Sequence, residues 1–386
     1  MRVLAPLMSE ALTGSAPDAR VSFHAFYDGV LGLVDPLPVG DWSLKWSVRD
    51  QDMVRSSGSF TVGEGTGELA PWGLSEPLSA AGSQVSAVLH VGGESIDLAT
   101  CTVTGNSPTE SLFYARDRWN TTGASVDVAM EELSRLVQDD EFISPESPPT
   151  GATVMTEIER LLRPHVGVIF AAEVVDQTLP KMLHPESRLE AVYTLVQMVG
   201  DARFTGDGQM LVYVPNSTPT FTVQGKPMGN LVDIARDQSR DNFYNVVVST
   251  GRNANGDELK AYAMISTGPL QASGPFGRRV YRHTAVATTQ AGVQADADAT
   301  LKRLQAKSTV EIRVEVTPDP SIEAGDTGTI LFPTADGAEY AITGRVLEAE
   351  LSGSADGFDP MRLVMACPAA DVQRVGELLA NARRNP

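Results

Sequence analysis

Five histidines, two cysteines and a surplus of carboxylates are the residues of this 386-residue chain whose side chains could do chemistry. His24, His90, His165, His184 and His283 are scattered, and no two stand at the spacing by which one helix presents a metal-binding pair. They read as surface or hydrogen-bonded structural residues. Cys101 and Cys367 lie far apart, so neither a disulfide framework nor a thiolate metal cage is available. Both are expected to be buried at strand ends as small hydrophobes. The chain has no Gly-x-Ser-x-Gly elbow and no Walker-type phosphate loop. Gly268, Gly274 and Gly277 lack phosphate-loop spacing, and no helix pattern starts directly after them; an exposed excursion between strands explains them better. Asp139-Asp140-Glu141 is a charge run at a helix end, expected to be solvated. Asp296 and Asp298 are two apart on a helix and therefore point in different directions. Asp201, Asp207 and Asp257 neighbour glycines in turns, where Asp bonds its own backbone. Asn120-Thr121-Thr122 and Asn216-Ser217-Thr218 match glycosylation acceptors, but no secretion signal accompanies them. These residues name no catalytic, metal or cofactor-binding site. A carboxylate pair that meets only in three dimensions, as a glycosidase needs, stays open.

Composition narrows the classes. Apolar residues make up 42% of the chain, enough for packed cores, and 34 glycines with 24 prolines point to a turn-rich chain with much β structure. Thirty Lys and Arg against 49 Asp and Glu give a net charge of −19. Such a surface repels phosphate backbones and anionic membranes, so no tight nucleic-acid binding is expected, although it could border DNA that must slide past. The apolar run Val3 to Met8 is broken by Pro6 and followed by Glu10, unlike a signal peptide. Val166 to Val175 is too short to cross a bilayer and contains Glu173, so no membrane insertion and synthesis in the cytoplasm are expected.

The elements that must position these residues come in three blocks. Up to about residue 110, short β-prone runs alternate with turns: Val21 to Phe26, then Trp42 to Val48 with Trp42, Leu44, Trp46 and Val48 on one face. Val85 to Val91 and Ile96 to Val103 flank Gly92-Gly93, a tight-hairpin signal. A Pro/Gly-rich insertion surrounds Pro71-Trp72-Gly73. The middle reads as α/β. Ser125 precedes Val126, Met130, Leu133 and Val137 at helical spacing. A second helix carries Val154, Ile158, Leu161 and Leu162, with Thr156 and Glu159 as a capping box and Pro164 as its stop. A third begins near Ser187, and residues 229–238 form one more short helix. Strands are expected at Val166 to Val175, at Phe204 and at Met210 to Val214. From Tyr244 the β pattern returns across an Asn255-Gly256 turn. Val310 to Val316 alternates strictly, and Ile330 to Phe332, Tyr340 to Leu351 and Met361 to Ala366 are further strands. The 290–306 helix presents Val293, Ala297, Leu301 and Leu304 to this sheet. A last helix over 369–383 shows Val372, Val375, Leu379 and Ala382.

The order of several motifs resembles a known family. They are Ser47-Val48-Arg49-Asp50 with Arg55, the hairpin closing at Leu98 to Val103, Ser134-Arg135-Leu136-Val137, Pro148-Pro149-Thr150-Gly151, Glu159-Arg160-Leu161-Leu162 and Ser187-Arg188-Leu189. The strongest is Ser239-Arg240-Asp241-Asn242-Phe243-Tyr244-Asn245-Val246-Val247-Val248, followed by Gly274-Pro275-Phe276-Gly277-Arg278, Pro318-Asp319-Pro320 and Glu323-Ala324-Gly325-Asp326. Over nearly its whole length the chain resembles minor tail proteins of long-tailed, siphovirus-type actinobacteriophages, a group similar to the baseplate or tail-tip hub of contractile phages. The resemblance implies a structural virion protein of the tail tip, assembled in the host cytoplasm. It implies a homotrimeric ring that joins a sixfold tube to a threefold tip. The implied partners are the distal tail or tail tube protein, the tape-measure protein and tail fibre or spike proteins.

The expected fold is α+β and β-rich: two tail-tube-like β-barrels flanking a small α/β unit, with a C-terminal amphipathic helix. The expected divisions are 1–120 (first barrel), 121–240 (α/β middle with a Ser/Pro linker at 142–151), 241–368 (second barrel with the 290–306 covering helix) and 369–386 (terminal helix). No hydrolase segment is left over, so no enzyme activity is expected. Two alternatives accompany this reading. One is a peptidoglycan- or polysaccharide-cleaving tail enzyme, which needs two close carboxylates, one with a raised pKa. The other is a receptor- or carbohydrate-binding tail module, which needs an exposed aromatic platform. Its candidates are Trp72, Trp119 and the loop around Phe276. The 268–279 excursion is expected to reach a neighbouring subunit or the channel.

Overall fold

The computed structural model describes residues 2, 4, 8, 19–27, 29–31, 35–49, 52–65, 67–225, 229–237, 243–253, 255–306, 308–333, 339–355 and 357–384. Ser239 to Asn242 and Asp50, from the family-like motifs, and most of residues 1–18 lie outside that set. The chain is β-rich α+β, as its alternating patterns require. It forms two compact units: residues 1–233, 314–328 and 345–364 in the first, and 234–313, 329–344 and 365–386 in the second.

The first unit begins with β1 (Ala19–Tyr27), β2 (Val30–Leu31), β3 (Val39–Ser47), β4 (Ser56–Glu64), β5 (Ser83–Val91), β6 (Glu94–Ala115) and β7 (Arg118–Glu132). Alternation places Val85, Ala87, Leu89 and Val91 of β5 inward, all buried. Gly92 and Gly93 turn the chain between β5 and β6 at φ +62° and +82°, backbone angles that a residue with a Cβ resists. The hydrogen-bonded order is β2-β1-β5-β6-β7-β4-β3. Phe23 of β1 nevertheless stacks 4.9 Å from Phe60 of β4 and 6.0 Å from Trp42 of β3. Strands that are not neighbours thus share one core, so the sheet curls around it.

One sequence expectation changes here. Ser125 to Val137 is not one helix: β7 runs to Glu132, and only α1 (Ser134–Asp139) is helical. Val126 and Met130 satisfy a period of two as well as a helical one, and Val128 between them is buried while Asp127 is exposed. Ladders to β4 (Phe60↔Val128) and β6 (Val103↔Met130) on either side decide for the strand. The β6–β7 pair also extends past its neighbours, because β4 stops at Glu64↔Ala124 and β5 at Gln84↔Thr102. Residues 111–123 therefore form a two-stranded arm closed by Arg116 and Asp117 at φ +53° and +61°. At about 3.4 Å per residue the arm reaches roughly 17 Å beyond the sheet.

The middle of the chain packs in the same unit. α2 (Val154–Leu162), β8 (Val168–Phe170), α3 (Arg188–Val199), β9 (Asp201–Phe204) and β10 (Met210–Tyr213) bury Ile158, Leu161, Leu189, Val192, Leu195 and Met210 together. The strand expected over Val166 to Val175 is only three residues long. Ser187 caps α3 by accepting from the Glu190 N–H. The cap of α2 is not Thr156 with Glu159 but Thr153 with Thr156, whose side chains and backbone N–H groups bond reciprocally. Thr153, one turn earlier, is the residue left in extended geometry.

β11 (Phe221–Gln224) follows, and then β12 (Leu231–Asp237), a strand where a short helix over 229–238 was expected. The second unit holds the three-stranded sheet β14-β13-β15, made of β13 (Val246–Arg252), β14 (Glu258–Met264) and β15 (Val280–Thr284). α4 (Gln290–Ala306) covers one face, packing Val293, Ala297 and Leu301 on Val247, Ala261, Ala263 and Ala285. β16 (Thr309–Val316), β17 (Thr327–Pro333), β18 (Glu339–Ser354), β19 (Gly357–Phe358), β20 (Met361–Pro368) and α5 (Ala369–Arg384) complete the chain. Val310, Ile312, Val314 and Val316 of β16 are all buried, as strict alternation requires. The 348–353 segment of β18 pairs with β3, from Glu348↔Ser47 to Gly353↔Trp42. That long-range pairing returns the end of the chain to its first block.

Candidate functional site

An ionic network in the first unit collects charges from segments far apart in sequence. Arg55 is buried, bonds Asp201 Oδ1 at 3.0 Å and the Ala202 carbonyl at 2.8 Å, and lies 4.3 Å over the Tyr193 ring. Arg345 of β18 donates to Asp201 Oδ2 and, at 3.1 Å, to the Tyr213 hydroxyl. Arg203 sits over Tyr213 and pairs with Glu323 at 2.9 Å and Asp326 at 3.0 Å. Arg2 bonds the carbonyls of Pro320 and Leu98 at 3.0 and 3.1 Å and approaches Glu323 at 3.5 Å. Burial raises the cost of ionising Asp201, but Arg345 and Arg55 outweigh it and hold its carboxyl below the usual range. Gly325 closes the loop at φ +93°, where an added Cβ would stand 2.1 Å from the Tyr213 hydroxyl. The Glu323-Ala324-Gly325-Asp326 motif therefore clasps the α/β middle.

Glu132 is the carboxylate that burial pushes upward. Bonds from Ser134 at 2.6 Å and from the Arg55 N–H at 2.9 Å oppose that shift without cancelling it. It is sealed in the core, so it does not face a substrate as a glycosidase acid must. Glu157, equally buried, accepts two 2.9 Å bonds from Arg160 and lies 2.9 Å from His184 Nε2. Burial opposes its ionisation, yet Arg160 and His184 hold its pKa low.

The remaining sequence candidates distribute as follows. Asp296 meets His283 at 2.6 Å and Ser249 at 2.9 Å, while Asp298 turns to Gln294. Asp140 is not merely solvated: it pairs with His165 at 3.0 Å and Arg188 at 3.2 Å. Asp207 and Asp257 stay in their turns with Thr205 and Asn253. Cys101 and Cys367 are free and buried, and burial pushes the Cys367 thiol up to about 12. Two histidines do meet. Ser22 Oγ bonds His24 Nε2 at 2.8 Å and His90 Nε2 at 2.7 Å, with His24 Nδ1 on Asp35. A hydroxyl has one proton, so Ser22 donates to one ring and accepts from the other. Among the described residues no group of three or more His, Cys, Asp or Glu could hold a metal.

Two surface features stand out. The β6–β7 arm places Leu112, Tyr114 and Trp119 on one face, with Tyr114 and Trp119 paired across the strands at 5.5 Å. Trp72 joins that face by donating its indole N–H to Glu110 at 2.7 Å. Trp72 and Trp119 are 83% and 67% exposed, so two of the three aromatic candidates share one stripe. The third, Phe276, is half-buried and with Phe243, Leu270, Val310 and Val372 lines a groove of about 810 Å3 in the second unit. The excursion beside it is tied down by Asn245, a residue of the strongest family-like motif. Fully buried, its amide donates to the Leu270 and Gly277 carbonyls at 3.0 and 2.6 Å and accepts the Arg279 N–H at 2.7 Å.

No protein-family model and no curated protein matches the chain. Solved structures do. The tail protein from Neisseria meningitidis MC58 shares 15% identity and a TM-score of 0.54 over 90% of this chain and 96% of its own. The 43 kDa tail protein of prophage MuSo2 from Shewanella oneidensis shares 13% identity and a TM-score of 0.58 over 91% and 99%. A chain of the Francisella PdpA–VgrG complex shares 8% identity and a TM-score of 0.51 over 92% of this chain but 53% of its own. At these identities the likeness is one of fold: over about nine-tenths of its length this chain shares the fold of these two tail proteins.

Proposed function

We propose that the chain is a structural hub or tip-ring protein of a phage tail. In this reading it is a minor tail protein of a siphovirus-type actinobacteriophage. Three copies form a ring, each contributing tube-like barrels over residues 1–120 and 241–368 around the α/β middle of 121–240, and the ring joins the sixfold tube to a threefold tip. The DNA passes through its centre. The neighbours in the virion are the distal tail or tube protein, the tape-measure protein and fibre or spike proteins, and the chain carries out no catalysis. The observation that carries the reading is the likeness to the MuSo2 tail protein, over 91% of this chain and 99% of that one. The net charge of −19 supports it, because an acidic wall repels DNA that must slide. The buried ion pairs support a frame that holds its shape under load, since breaking one strands a charge in the core. Negative-stain electron microscopy of the purified protein tests the reading: threefold rings are expected, and isolated monomers at every concentration refute it.

The aromatic stripe favours a second reading, a receptor- or carbohydrate-binding module. Trp72, Tyr114 and Trp119 beside Glu110 offer ring faces and an acceptor of the kind that sugars use. Binding to host cell-wall glycan that is lost in Trp72→Ala/Trp119→Ala supports it; equal retention of both proteins on the glycan removes it.

A further inference from the structure

α4 covers one face of the sheet β14-β13-β15; on the other face the central Val246 is buried and Val248 and Thr250 are half-buried, while the flanking strands are exposed. Register fixes what the other face carries. Val248 aligns with Tyr262 and Arg282, Val246 with Met264 and Val280, and Thr250 with Lys260 and Thr284. These residues have the opposite parity to Val247 and Ser249, which face α4. Tyr262 is 62% exposed, Met264 42% and Val280 39%. Three large apolar side chains thus sit in water on a sheet whose other face is packed. Such an apolar cluster rimmed by charge marks an interaction site.

The same face carries charge. Arg252, Lys260 and Arg282 are exposed on it, and Glu258 is the acid beside them. Among the described residues none of the three cations forms an ion pair with a carboxylate. Residues 244–287 hold five Lys and Arg (Arg252, Lys260, Arg278, Arg279, Arg282) against Asp257 and Glu258, in a chain of net charge −19. A cationic, apolar face on an acidic protein complements the remainder of that protein.

We propose that this face docks on the acidic surface of a second copy of the chain, and is the contact between neighbouring subunits. The inference rests on the ring reading and names its interface. Apolar contact through Tyr262, Met264 and Val280 supplies area, while Arg252, Lys260 and Arg282 set orientation and speed encounter. A self-complementary charge pattern of this kind closes a ring when one patch meets a different patch on the next subunit.

The test compares sedimentation of the wild-type full chain with Lys260→Glu/Arg282→Glu and with Tyr262→Ser/Met264→Ser. All four positions are exposed, so the melting temperatures are expected to stay unchanged. The wild type is expected to be oligomeric, and each double variant to associate at least about tenfold more weakly, as loss of rim charges or of anchors does. Salt at about 0.5 M, where the screening length falls to about 4 Å, is expected to weaken the wild type toward the level of the charge variant. An oligomeric wild type with equally oligomeric variants overturns this inference and leaves the ring standing. A wild type that is monomeric at all concentrations overturns the ring, and the inference with it. If the charge variant keeps its oligomeric state but loses binding to a labelled DNA duplex that the wild type retains, the face belongs to nucleic acid, and the proposal is wrong.

Discussion

Asn245→Ala releases the 268–279 excursion if the clamp works as its geometry implies. The side chain is fully buried and makes three bonds to the excursion, at 3.0, 2.6 and 2.7 Å. Each neutral hydrogen bond contributes about 1 kcal/mol net, and two carbonyls lose their donor, so the deletion costs about 3 kcal/mol. Concentrated on local opening, that raises the open population on the order of a hundredfold. Trypsin reads it, because Arg278-Arg279 lies inside the excursion. Where cleavage follows the open population, cutting at that site is expected to be on the order of a hundredfold faster in Asn245→Ala. Asn245→Asp keeps the acceptor for the Arg279 N–H but sets a buried carboxylate oxygen against the Leu270 and Gly277 carbonyls, and is expected to open the excursion at least as much as Ala. An unchanged cutting rate in a folded Asn245→Ala protein refutes the clamp.

Other outcomes follow from the first unit. Arg55→Met is expected to cost about 3 kcal/mol in urea unfolding, since a buried ion pair, a carbonyl bond and a ring contact go together while Asp201 keeps Arg345; Arg163→Met, at the exposed pair with Glu159, is expected to cost under about 0.5 kcal/mol. Glu157 and Asp201 have pKa values below their ordinary ones. A depressed carboxylate contributes stability that is fully present above its unfolded pKa, about 4, and is lost as pH falls through the folded value. The urea midpoint is therefore expected to drop from pH 5 downward, less steeply in Glu157→Gln; an equally steep fall in that variant shows the group plays no part. Gly325→Ala sets a Cβ against the Tyr213 hydroxyl at φ +93° and is expected to cost about 2 kcal/mol or more in thermal unfolding.

Several strands with one face buried and the other wet were legible. Ser83 to Val91 and Thr309 to Val316 alternate because each lines a core, and alternation is a local signal. Helices with a cap and a stop, such as Arg188 to Val199, were equally plain. Residues 126–137 misled because Val126 and Met130 fit both periods, and the deciding ladders come from Ser56 to Glu64 and Glu94 to Ala115. Residues 231–237 are mostly exposed, so burial printed no period there to read. The ionic network was hidden for another reason. Arg55, Asp201 and Arg345 converge only through the pairing of residues 348–353 with 42–47, which no local pattern encodes. Arg55, Glu323 and Asp326 were visible only as parts of family-like motifs, and the structure supplies the physical reason for them: they hold the α/β middle in place. Trp72 and Trp119 were singled out as aromatic candidates, but their common face depends on the register of the arm.

Cryo-electron microscopy of the purified full chain, classified without imposed symmetry, is the most direct measurement. Threefold rings with a central opening wide enough for duplex DNA, about 20 Å, are predicted on the ring reading. A homogeneous population of single chains, or closed assemblies without a threefold axis or an opening, contradicts it.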